Sequence, residues 1–271
     1  MNWFESLIFG LFSGISEFLP VSSPAHQQIM LQLFGVDERD PVRDLFIHTA
    51  MLLAVILSCK PFLDLVKRER SANYSRRNAT TNMRTFYDWR LVRGMLLPMV
   101  IGTFLLRFLC SPSESLLITA LFIAINGVIL FLPERMVQGN KDARSMTKLD
   151  SILIGSAASV SVFTGISRIG CTYSVSVARG ADKKPALLWS LILSIWALAI
   201  LIIFDFASLF TMPVDFWSNF HTYILSGITA YLGSYLGIFI MRFFARASHT
   251  GFAYYCWGAS LFSFILYLTV S

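Results

Sequence analysis

Charged residues are scarce in this sequence of 271 residues: 14% are Asp, Glu, Lys or Arg, whereas 55% are hydrophobic. A soluble domain carries about 25% charged residues. The long apolar runs also have few of the polar positions that a soluble helix presents to water, which argues against a soluble all-helical core. The composition therefore predicts an all-α polytopic membrane protein.

Cysteine is also scarce, and its spacing excludes the usual metal-binding motifs. Cys59, Cys110, Cys171 and Cys256 are scattered singly, so we interpret them as small apolar fillers. The first residues, Met-Asn-Trp-Phe-Glu, have no basic stretch, and we expect no cleaved signal peptide.

The net charge of +6 does not indicate a nucleic-acid partner. The basic residues cluster in loops between apolar runs, a pattern that is typical of membrane orientation and of contact with anionic lipid headgroups. We therefore expect membrane lipids, and no nucleic acid, as partners of this surface.

An apolar segment at residues 10–26 is interrupted by Pro20 and Pro24. It carries four polar or ionisable residues, Glu17, Ser22, Ser23 and His26. A second segment, residues 162–172, carries Arg168 between two glycines. Irregular backbone and ionisable groups at membrane depth are costly unless they line a polar cavity. One acidic and one basic broken segment predict a single site that is assembled from both halves of the chain.

The apolar runs predict six membrane spans and two re-entrant helical hairpins. The spans are expected at about residues 45–66, 94–110, 115–133, 185–211, 221–241 and 251–271, since a spanning helix needs about 20 apolar residues. The hairpins are expected at residues 3–35 and 151–178, with turns at Pro20 to Pro24 and at Gly165 to Gly170. Polar loops are expected at 37–44, 67–93 and 134–150, the last two of them basic and therefore cytoplasmic.

Each half of the chain then contains one hairpin and three spans. An odd number of spans makes the halves antiparallel, which predicts an inverted-topology repeat with its site near the midplane. We place the repeats at about residues 1–133 and 151–271 of a single domain that covers residues 1–271, joined by the cytoplasmic loop 134–150. Residues 12–17 (Phe-Ser-Gly-Ile-Ser-Glu) also match residues 163–168 (Phe-Thr-Gly-Ile-Ser-Arg) with the charge reversed.

Arg168 is the candidate phosphate ligand, because the planar fork of a guanidinium suits phosphate oxygens. Gly165 and Gly170 would let backbone N–H groups approach the same anion, and Ser167 and Thr172 supply hydroxyl donors. The alternative is an arginine that extends to the interface or pairs with a carboxylate for structure alone.

Glu17 suits a divalent cation that bridges a diphosphate, an acid–base role, or a structural partnership with Arg168. Ser22, Ser23 and His26 form a hydroxyl–imidazole set for nucleophilic or acid–base chemistry. If a helix starts at Pro24, the spacing of three or four residues brings His26 near both serines. We interpret His48 as a hydrogen-bonded structural residue, with a position that faces the site as the alternative.

Residues 16–26 (Ser-Glu-Phe-Leu-Pro-Val-Ser-Ser-Pro-Ala-His) closely resemble the first signature of the bacitracin-resistance type undecaprenyl-diphosphate phosphatases. Residues 164–172 resemble the second, Pro-Gly-x-Ser-Arg-Ser-x-x-Thr, and the similarity extends over the whole chain. The resemblance implies hydrolysis of undecaprenyl diphosphate to the monophosphate, which recycles the lipid carrier of cell-envelope polymers. It also implies a divalent cation (Mg²⁺ or Ca²⁺) and a bacterial plasma-membrane site that opens to the outer face.

The resemblance also implies roles for single residues. Glu17 would be the second acid of the family's acidic pair, in a metal or acid–base role. Ser23 and His26 would be the nucleophile or proton-transfer groups, with Ser22 as a supporting hydroxyl. Arg168 would clamp the diphosphate, flanked by Ser167 and Thr172.

The sequence departs from the family pattern at several positions. Ser13 replaces the first carboxylate, so one ligand or proton carrier is missing, and His48 stands where the family usually has Gln. Thr164, Ile169 and Ala25 replace the usual Pro, Ser and Gly. These departures leave open a slow phosphatase or one with another substrate, a non-hydrolytic polyprenyl-phosphate transporter, and a degenerate paralogue. They also leave open whether the chain is a monomer or a homodimer.

Overall fold

The computed structural model describes residues 1–36, 40–74, 84–109, 115–137, 139–211, 216–244 and 247–270, without the side chains of 65–74 and 84–87. Within these ranges the chain forms ten α-helices and one short 3-10 turn, at Val160–Val162, and no strand. The helices are α1 (Trp3–Phe18), α2 (Ser23–Leu33), α3 (Pro41–Tyr74), α4 (Arg84–Leu109), α5 (Leu116–Glu134), α6 (Lys148–Ser159), α7 (Arg168–Ala178), α8 (Lys183–Ser208), α9 (Phe216–Phe243) and α10 (Thr250–Val270).

Six of these helices are long and apolar enough to cross a membrane. They are the Pro41–Asp64 part of α3, the Asp88–Leu109 part of α4, and all of α5, α8, α9 and α10. Their outward faces expose large apolar side chains, such as Phe108 of α4 and Ile203 of α8. Such faces suit lipid and not water. The six predicted spans are therefore confirmed, and the chain is a multi-pass membrane protein.

Two predicted loops are shorter than expected. Helix α3 continues to Tyr74 and α4 begins at Arg84, so residues 67–74 and 84–93 of the predicted loop 67–93 are helical, and residues 75–83 lie outside the described residues. Apolar character limits a membrane span but not a helix, because Lys, Arg and Glu are good helix formers. Likewise, α3 begins inside the loop predicted at 37–44, of which residues 37–39 lie outside the description. The predicted turn at 111–114 also lies outside it.

Four shorter helices form two helix–break–helix pairs. Helix α1 begins with a capping box of Asn2 and Glu5 and ends at Phe18, before a first break at residues 19–22. Leu19 is extended, as expected of a residue before proline. Helix α2 then starts at Ser23, with proline in its first turn. The first predicted interruption is confirmed in place.

The second pair repeats this plan. Helix α6 begins with a capping box of Thr147 and Asp150, and the 3-10 turn leads from it into a second break at residues 163–167. Helix α7 follows, with the Ser167 side chain as its N-cap. The ends of the pair are joined by an ion pair of Arg179 Nε and Asp150 Oδ1 at 2.5 Å.

The helix pairs pack against long helices through glycines. Helix α1 crosses α9, where a Cβ added at Gly14 would lie 2.2 Å from the Ala230 carbonyl oxygen. Helix α6 crosses α4, where a Cβ added at Gly155 would lie 2.2 Å from the Met95 carbonyl oxygen. Helix α3 packs on α8 and α9, and α5 packs on α10. This arrangement brings the two breaks together in the interior.

Residues 12–17 and 163–168, which match in sequence, occupy different positions in these pairs. The first hexapeptide lies in the last turns of α1, whereas the second covers the second break and the first residue of α7. The letter match therefore does not mark equivalent positions of the two pairs. It does place Glu17 at the end of one helix and Arg168 at the start of another.

Candidate functional site

A polar cavity of about 130 Å³ lies where the two breaks meet helices α3, α4 and α8. Its walls combine both interrupted segments with three membrane spans. The polar and charged side chains that line it are Glu17, Ser22, Ser23, Gln27, Asp44, His48, Thr103, Arg107, Ser161, Thr164, Ser167, Arg168 and Asp205. The single site predicted from two halves of the chain therefore exists as one cavity.

Glu17 and Arg168 form an ion pair in this cavity. Arg168 Nη2 donates to Glu17 Oε1, and the two side chains are only 8% and 9% exposed. The buried Nε of Arg168 has no hydrogen-bond partner among the described residues. The guanidinium therefore keeps a donor for a further acceptor, and a buried donor without a partner is costly.

Each charge of this pair lies at the helix end that suits it less. Glu17 is in the last turn of α1, where helix carbonyls make a carboxylate unfavourable, and Arg168 is the first residue of α7, where N–H groups repel a cation. The ion pair offsets these effects. An anion that entered the cavity would meet both the guanidinium and the favourable N-terminus of α7.

The two breaks are hydrogen-bonded to each other. The N–H of Gly165 donates to Ser22 Oγ at 3.2 Å, and Ser167 Oγ is 3.3 Å from the Leu19 carbonyl oxygen. Asn126 of α5 connects both breaks, since its Nδ2 donates to the Pro20 carbonyl oxygen and its Oδ1 accepts from the Ser167 N–H, each at 2.9 Å. The backbone groups freed by the breaks thus find their partners within the protein.

Ser22 and Ser23 both line the cavity but differ in their bonds. Ser22 has a φ of 67° and accepts from the second break. Ser23 Oγ donates to the Ser13 carbonyl oxygen at 3.1 Å and lies 3.5 Å from Gln27 Nε2. Ser23 therefore has a hydroxyl on the cavity wall, as its predicted role as a nucleophile requires. That role itself stays a prediction.

His26 lies on another face of α2 and does not line the cavity. Its Nδ1 lies 2.7 Å from the Ser22 carbonyl oxygen, and its Nε2 lies 2.7 Å from the Tyr255 hydroxyl of α10. The ring borders apolar grooves beside α10. The sequence spacing predicted that His26 lies near Ser22. The His26 ring does contact the Ser22 carbonyl oxygen, but not the Ser22 hydroxyl. The proton-transfer role of His26 stays a prediction that this geometry does not support.

Three of the predicted binding residues, Gly165, Gly170 and Thr172, lie next to the cavity but not on its wall. The N–H of Gly165 is used by Ser22, and the N–H of Gly170 donates to Ser167 Oγ at 3.1 Å. The hydroxyl of Thr172 donates to the Arg168 carbonyl oxygen and contacts Ser190 Oγ, both at 2.8 Å. None of the three lines the cavity. They fix the first turn of α7, which carries Arg168.

The wall formed by α3 and α8 carries a second ionisable pair. His48 Nδ1 lies 2.6 Å from Asp205 Oδ2, and the side chains are 13% and 15% exposed. Arg107 of α4 also reaches the cavity, with its guanidinium 4.6 Å from the centre of the Phe204 ring. His48 thus faces the site and is hydrogen-bonded as well.

Sequence reasoning missed several lining residues: Gln27, Asp44, Thr103, Ser161 and Asp205. Asp205 had a usable signal, because it is the one charged residue within the apolar run 185–211. An ionisable residue inside a span marks a functional site by default. The others lie near helix ends or are common in spans, and no pattern singles them out.

A divalent cation in the cavity would need ligands from its walls. Among the described residues, no three His, Cys, Asp or Glu side chains are arranged to hold a metal ion. Ser13, at the position of the family's first carboxylate, is fully buried and does not line the cavity. A divalent cation there would take one or two carboxylates from the protein and its other oxygens from phosphate, a mode that is common for Mg²⁺.

Comparisons with known proteins cover almost the whole chain. The family model described as "Bacitracin resistance protein BacA" matches residues 6–262. The chain is 28% identical to Undecaprenyl-diphosphatase 4 of Bacillus thuringiensis (strain Al Hakam), over 99% of both chains. It is also 28% identical to Undecaprenyl-diphosphatase 1 of Shouchella clausii, over 98% of this chain and 96% of that protein. A third relative, the undecaprenyl-diphosphatase of Carboxydothermus hydrogenoformans, is 27% identical over 95% of this chain and 94% of its own.

Proposed function

This chain belongs to the bacitracin resistance protein BacA family, and on that premise we propose that it hydrolyses undecaprenyl diphosphate. The products are undecaprenyl phosphate and phosphate, and the reaction returns the lipid carrier to cell-envelope synthesis. One observation carries the proposal. A buried guanidinium with an unpartnered donor lies at a helix N-terminus in a polar cavity between membrane spans. A diphosphate headgroup is the anion that such a site suits.

Arg168 acts first as the ligand of the diphosphate and then as an electrostatic catalyst. The incoming phosphate oxygens compete with Glu17 for the guanidinium, and Nε gains the acceptor that it lacks. During transfer, negative charge shifts onto the oxygen that bridges the phosphates, and Arg168 stabilises it in an environment with little water. Phosphoryl transfer depends mainly on such positioning and charge stabilisation.

The other residues of the motif divide the remaining tasks. Glu17, once released from Arg168, is free to accept a proton or to bind a cation. Ser23 offers a hydroxyl on the cavity wall, and Ser22 fixes the distance between the two breaks. Gly165, Ser167, Gly170 and Thr172 hold the start of α7 in place.

We keep a divalent cation, Mg²⁺ or Ca²⁺, as part of the proposal. Glu17 and the phosphate oxygens would hold it, and it would neutralise part of the diphosphate charge. This mode matches a cavity in which the described residues form no three-ligand cluster. The cation would then enter together with the lipid.

We further propose that α1–α2 and α6–α7 are re-entrant hairpins in an inverted-topology repeat of residues 1–133 and 151–271. The helix packing supports this. If α1 to α5 correspond to α6 to α10, the contact of α1 with α9 corresponds to that of α6 with α4. Exchanging the two halves swaps α3 with α8 and α5 with α10, so the contacts within these two pairs remain the same contacts. Glycines mediate both of the exchanged contacts.

The basic loops set the proposed orientation. Lys141 and Arg144 precede α6, Lys148 begins it, and Lys183 and Lys184 begin α8, so this end of the molecule faces the cytoplasm. The cavity then opens toward the outer side of the bacterial plasma membrane. Its partners are the polyprenyl diphosphate and the surrounding lipids, with no nucleic acid, and a homodimer remains the oligomer to test.

The test is phosphate release from undecaprenyl diphosphate by the purified protein in detergent, with and without Mg²⁺ or Ca²⁺. We expect cation-dependent release that falls by about 10²–10³-fold in Arg168→Ala and Glu17→Ala, the usual loss on removal of one charge-stabilising group. Arg144→Ala, an exposed arginine outside the cavity, is the matched control.

Two outcomes would contradict the proposal. Release that is equal in Arg168→Ala and in the control would place the reaction elsewhere. No release, with the lipid still bound in a manner that depends on Arg168, would indicate lipid transport in place of hydrolysis.

A further inference from the structure

We propose that His48, oriented by Asp205, is the proton acceptor for the group that attacks the terminal phosphorus. The inference rests on the proposed function and adds to it a residue pair outside the two signature segments, on the part of the cavity wall formed by α3 and α8. The pair joins two membrane spans, since His48 lies on α3 and Asp205 on α8. Both side chains line the cavity that contains Glu17 and Arg168.

The geometry of the pair selects the tautomer of the imidazole. His48 Nδ1 and Asp205 Oδ2 are 2.6 Å apart, the distance of a strong hydrogen bond to a carboxylate. A carboxylate accepts, so Nδ1 carries the hydrogen and Nε2 of the neutral ring keeps the lone pair. Asp205 thereby prepares Nε2 as a base and stabilises the imidazolium that forms.

We assign the other candidate bases elsewhere, since Glu17, once the diphosphate releases it from Arg168, would bind the cation. Glu17 pairs with Arg168, and both ring nitrogens of His26 have partners outside the cavity. Ser13 has no carboxylate and does not reach the cavity. Among the described residues that line the cavity, His48 is the single imidazole.

The proton transfer is simple to balance. With water as the attacking group, its oxygen forms a bond to the terminal phosphorus, and the bond from that phosphorus to the bridging oxygen breaks. The electron pair of the broken bond leaves with undecaprenyl phosphate. One proton of the water passes to His48 Nε2, the other stays on the product phosphate, and the imidazolium then releases its proton to solvent.

A purely structural link between α3 and α8 is the competing explanation. It would hold the helices together but would not respond to the state of the substrate. The two explanations differ in the pH dependence of the rate, because a base must be unprotonated to act. The charged groups that surround His48 on the cavity wall are Glu17 of α1, Asp44 of α3, Arg107 of α4, Arg168 of α7 and Asp205 of α8.

The experiment measures kcat and KM for phosphate release across the neutral pH range in wild type, His48→Gln and Asp205→Asn. We expect His48→Gln to lower kcat by about 10²–10⁴-fold, the usual contribution of acid–base catalysis, with KM little changed. The decline of the wild-type rate on the acid side should disappear in this variant. His221→Gln, the same change at an exposed histidine of α9, should keep the wild-type profile.

Asp205→Asn is the second variant, because it keeps the imidazole and changes few atoms. We expect a lower kcat and a different midpoint of the acid-side decline. If His48→Gln does not fold, an unchanged profile in Asp205→Asn overturns the inference. A wild-type profile in a folded His48→Gln protein overturns it as well. No release by the wild type would overturn the proposed function, and this inference with it.

Discussion

The first and second breaks both end a helix in the apolar part of the chain, yet their backbones are stabilised in different ways. In the second break, the residue with positive φ is Gly165, and the Ser167 side chain caps α7. In the first break, positive φ falls on Ser22, and α2 has no side-chain cap. The first break instead takes its partners from the second and from Asn126. The two breaks thus depend on each other, and only the second also has a side-chain cap within its own segment.

The charged residues beside the two breaks, Glu17 and Arg168, also differ in their position on the helices. Glu17 lies in the last turn of α1 and Arg168 begins α7, and both placements oppose the helix dipole. A pair selected for stability alone would have the opposite arrangement. The second break is therefore suited to bind an anion, whereas the first supplies groups that act on the bound anion.

The strongest test of this comparison exchanges the two charges. In the double variant Glu17→Arg and Arg168→Glu, an ion pair can still form, but the guanidinium leaves the N-terminus of α7. We expect phosphate release to fall by at least about 10³-fold, because charge stabilisation depends on position. The free energy of unfolding in detergent should be unchanged or higher. Each charge now lies at the helix end that favours it, which contributes about 0.3–1 kcal/mol.

The control for this exchange is Glu17→Arg alone, which places two like charges in the cavity and should destabilise the fold. Activity retained in the double variant would show that the order of the charges is irrelevant. The functional difference between the breaks would then be lost.

A second test removes the amide that joins the breaks. Asn126→Leu keeps the size of the side chain but leaves the Pro20 carbonyl and the Ser167 N–H without their partner. Each buried orphan costs about 1–3 kcal/mol, so we expect a loss of roughly 2–6 kcal/mol in the free energy of unfolding. Denaturant titration in detergent measures it.

Thr119→Val is the matched control, because Thr119 is buried on the same helix and its hydroxyl donates to Gln28 Oε1 of α2 at 2.5 Å. We expect it to lose about 1 kcal/mol, as for one ordinary hydrogen bond. Equal losses in the two variants would mean that the breaks do not depend on Asn126.

The smallest expected effect concerns the backbone of Ser22. Ser22→Gly and Ser22→Ala both remove the hydroxyl that accepts from Gly165, but only glycine relieves the positive φ. We expect the glycine variant to be more stable by about 1–2 kcal/mol. Thermal unfolding of the two variants side by side measures the difference.

Gly165→Ala provides the reverse case, because its new Cβ would lie 2.5 Å from Phe122 Cβ in addition to the strained φ. Equal stability of Ser22→Gly and Ser22→Ala would show that the first break holds no strain. The contrast with the second break would then rest on capping alone.

Sequence patterns predicted those parts of the molecule that local chemistry determines. Apolar runs gave the six spans, because span length follows from membrane thickness. The breakers and buried charges around Glu17 and Arg168 predicted one shared site, since each charge needs a partner within the membrane. The end of α3 was misplaced because hydropathy reports membrane depth, whereas charged residues can continue a helix beyond it.

Long-range contacts account for the parts that the sequence could not predict. His26 does not face the cavity, and its Nε2 forms a hydrogen bond with the hydroxyl of Tyr255, which lies 229 residues later in the chain. The identities of His48 and Asp205 were visible, but their pairing requires α3 and α8 to be adjacent. No local pattern carries that information.

The hydrogen bond between Ser22 and Gly165 has a consequence for biogenesis. The two residues are 143 positions apart. At about 5–20 residues per second, a ribosome needs roughly 7–30 s to make the second after the first. Throughout that time the carbonyls of the first break and the nearby Glu17 carboxylate lack their partners from the second half of the chain, and water is the alternative partner for them. We therefore expect the pair α1–α2 to reach its final hydrogen bonding only after the complementary segment has been translated.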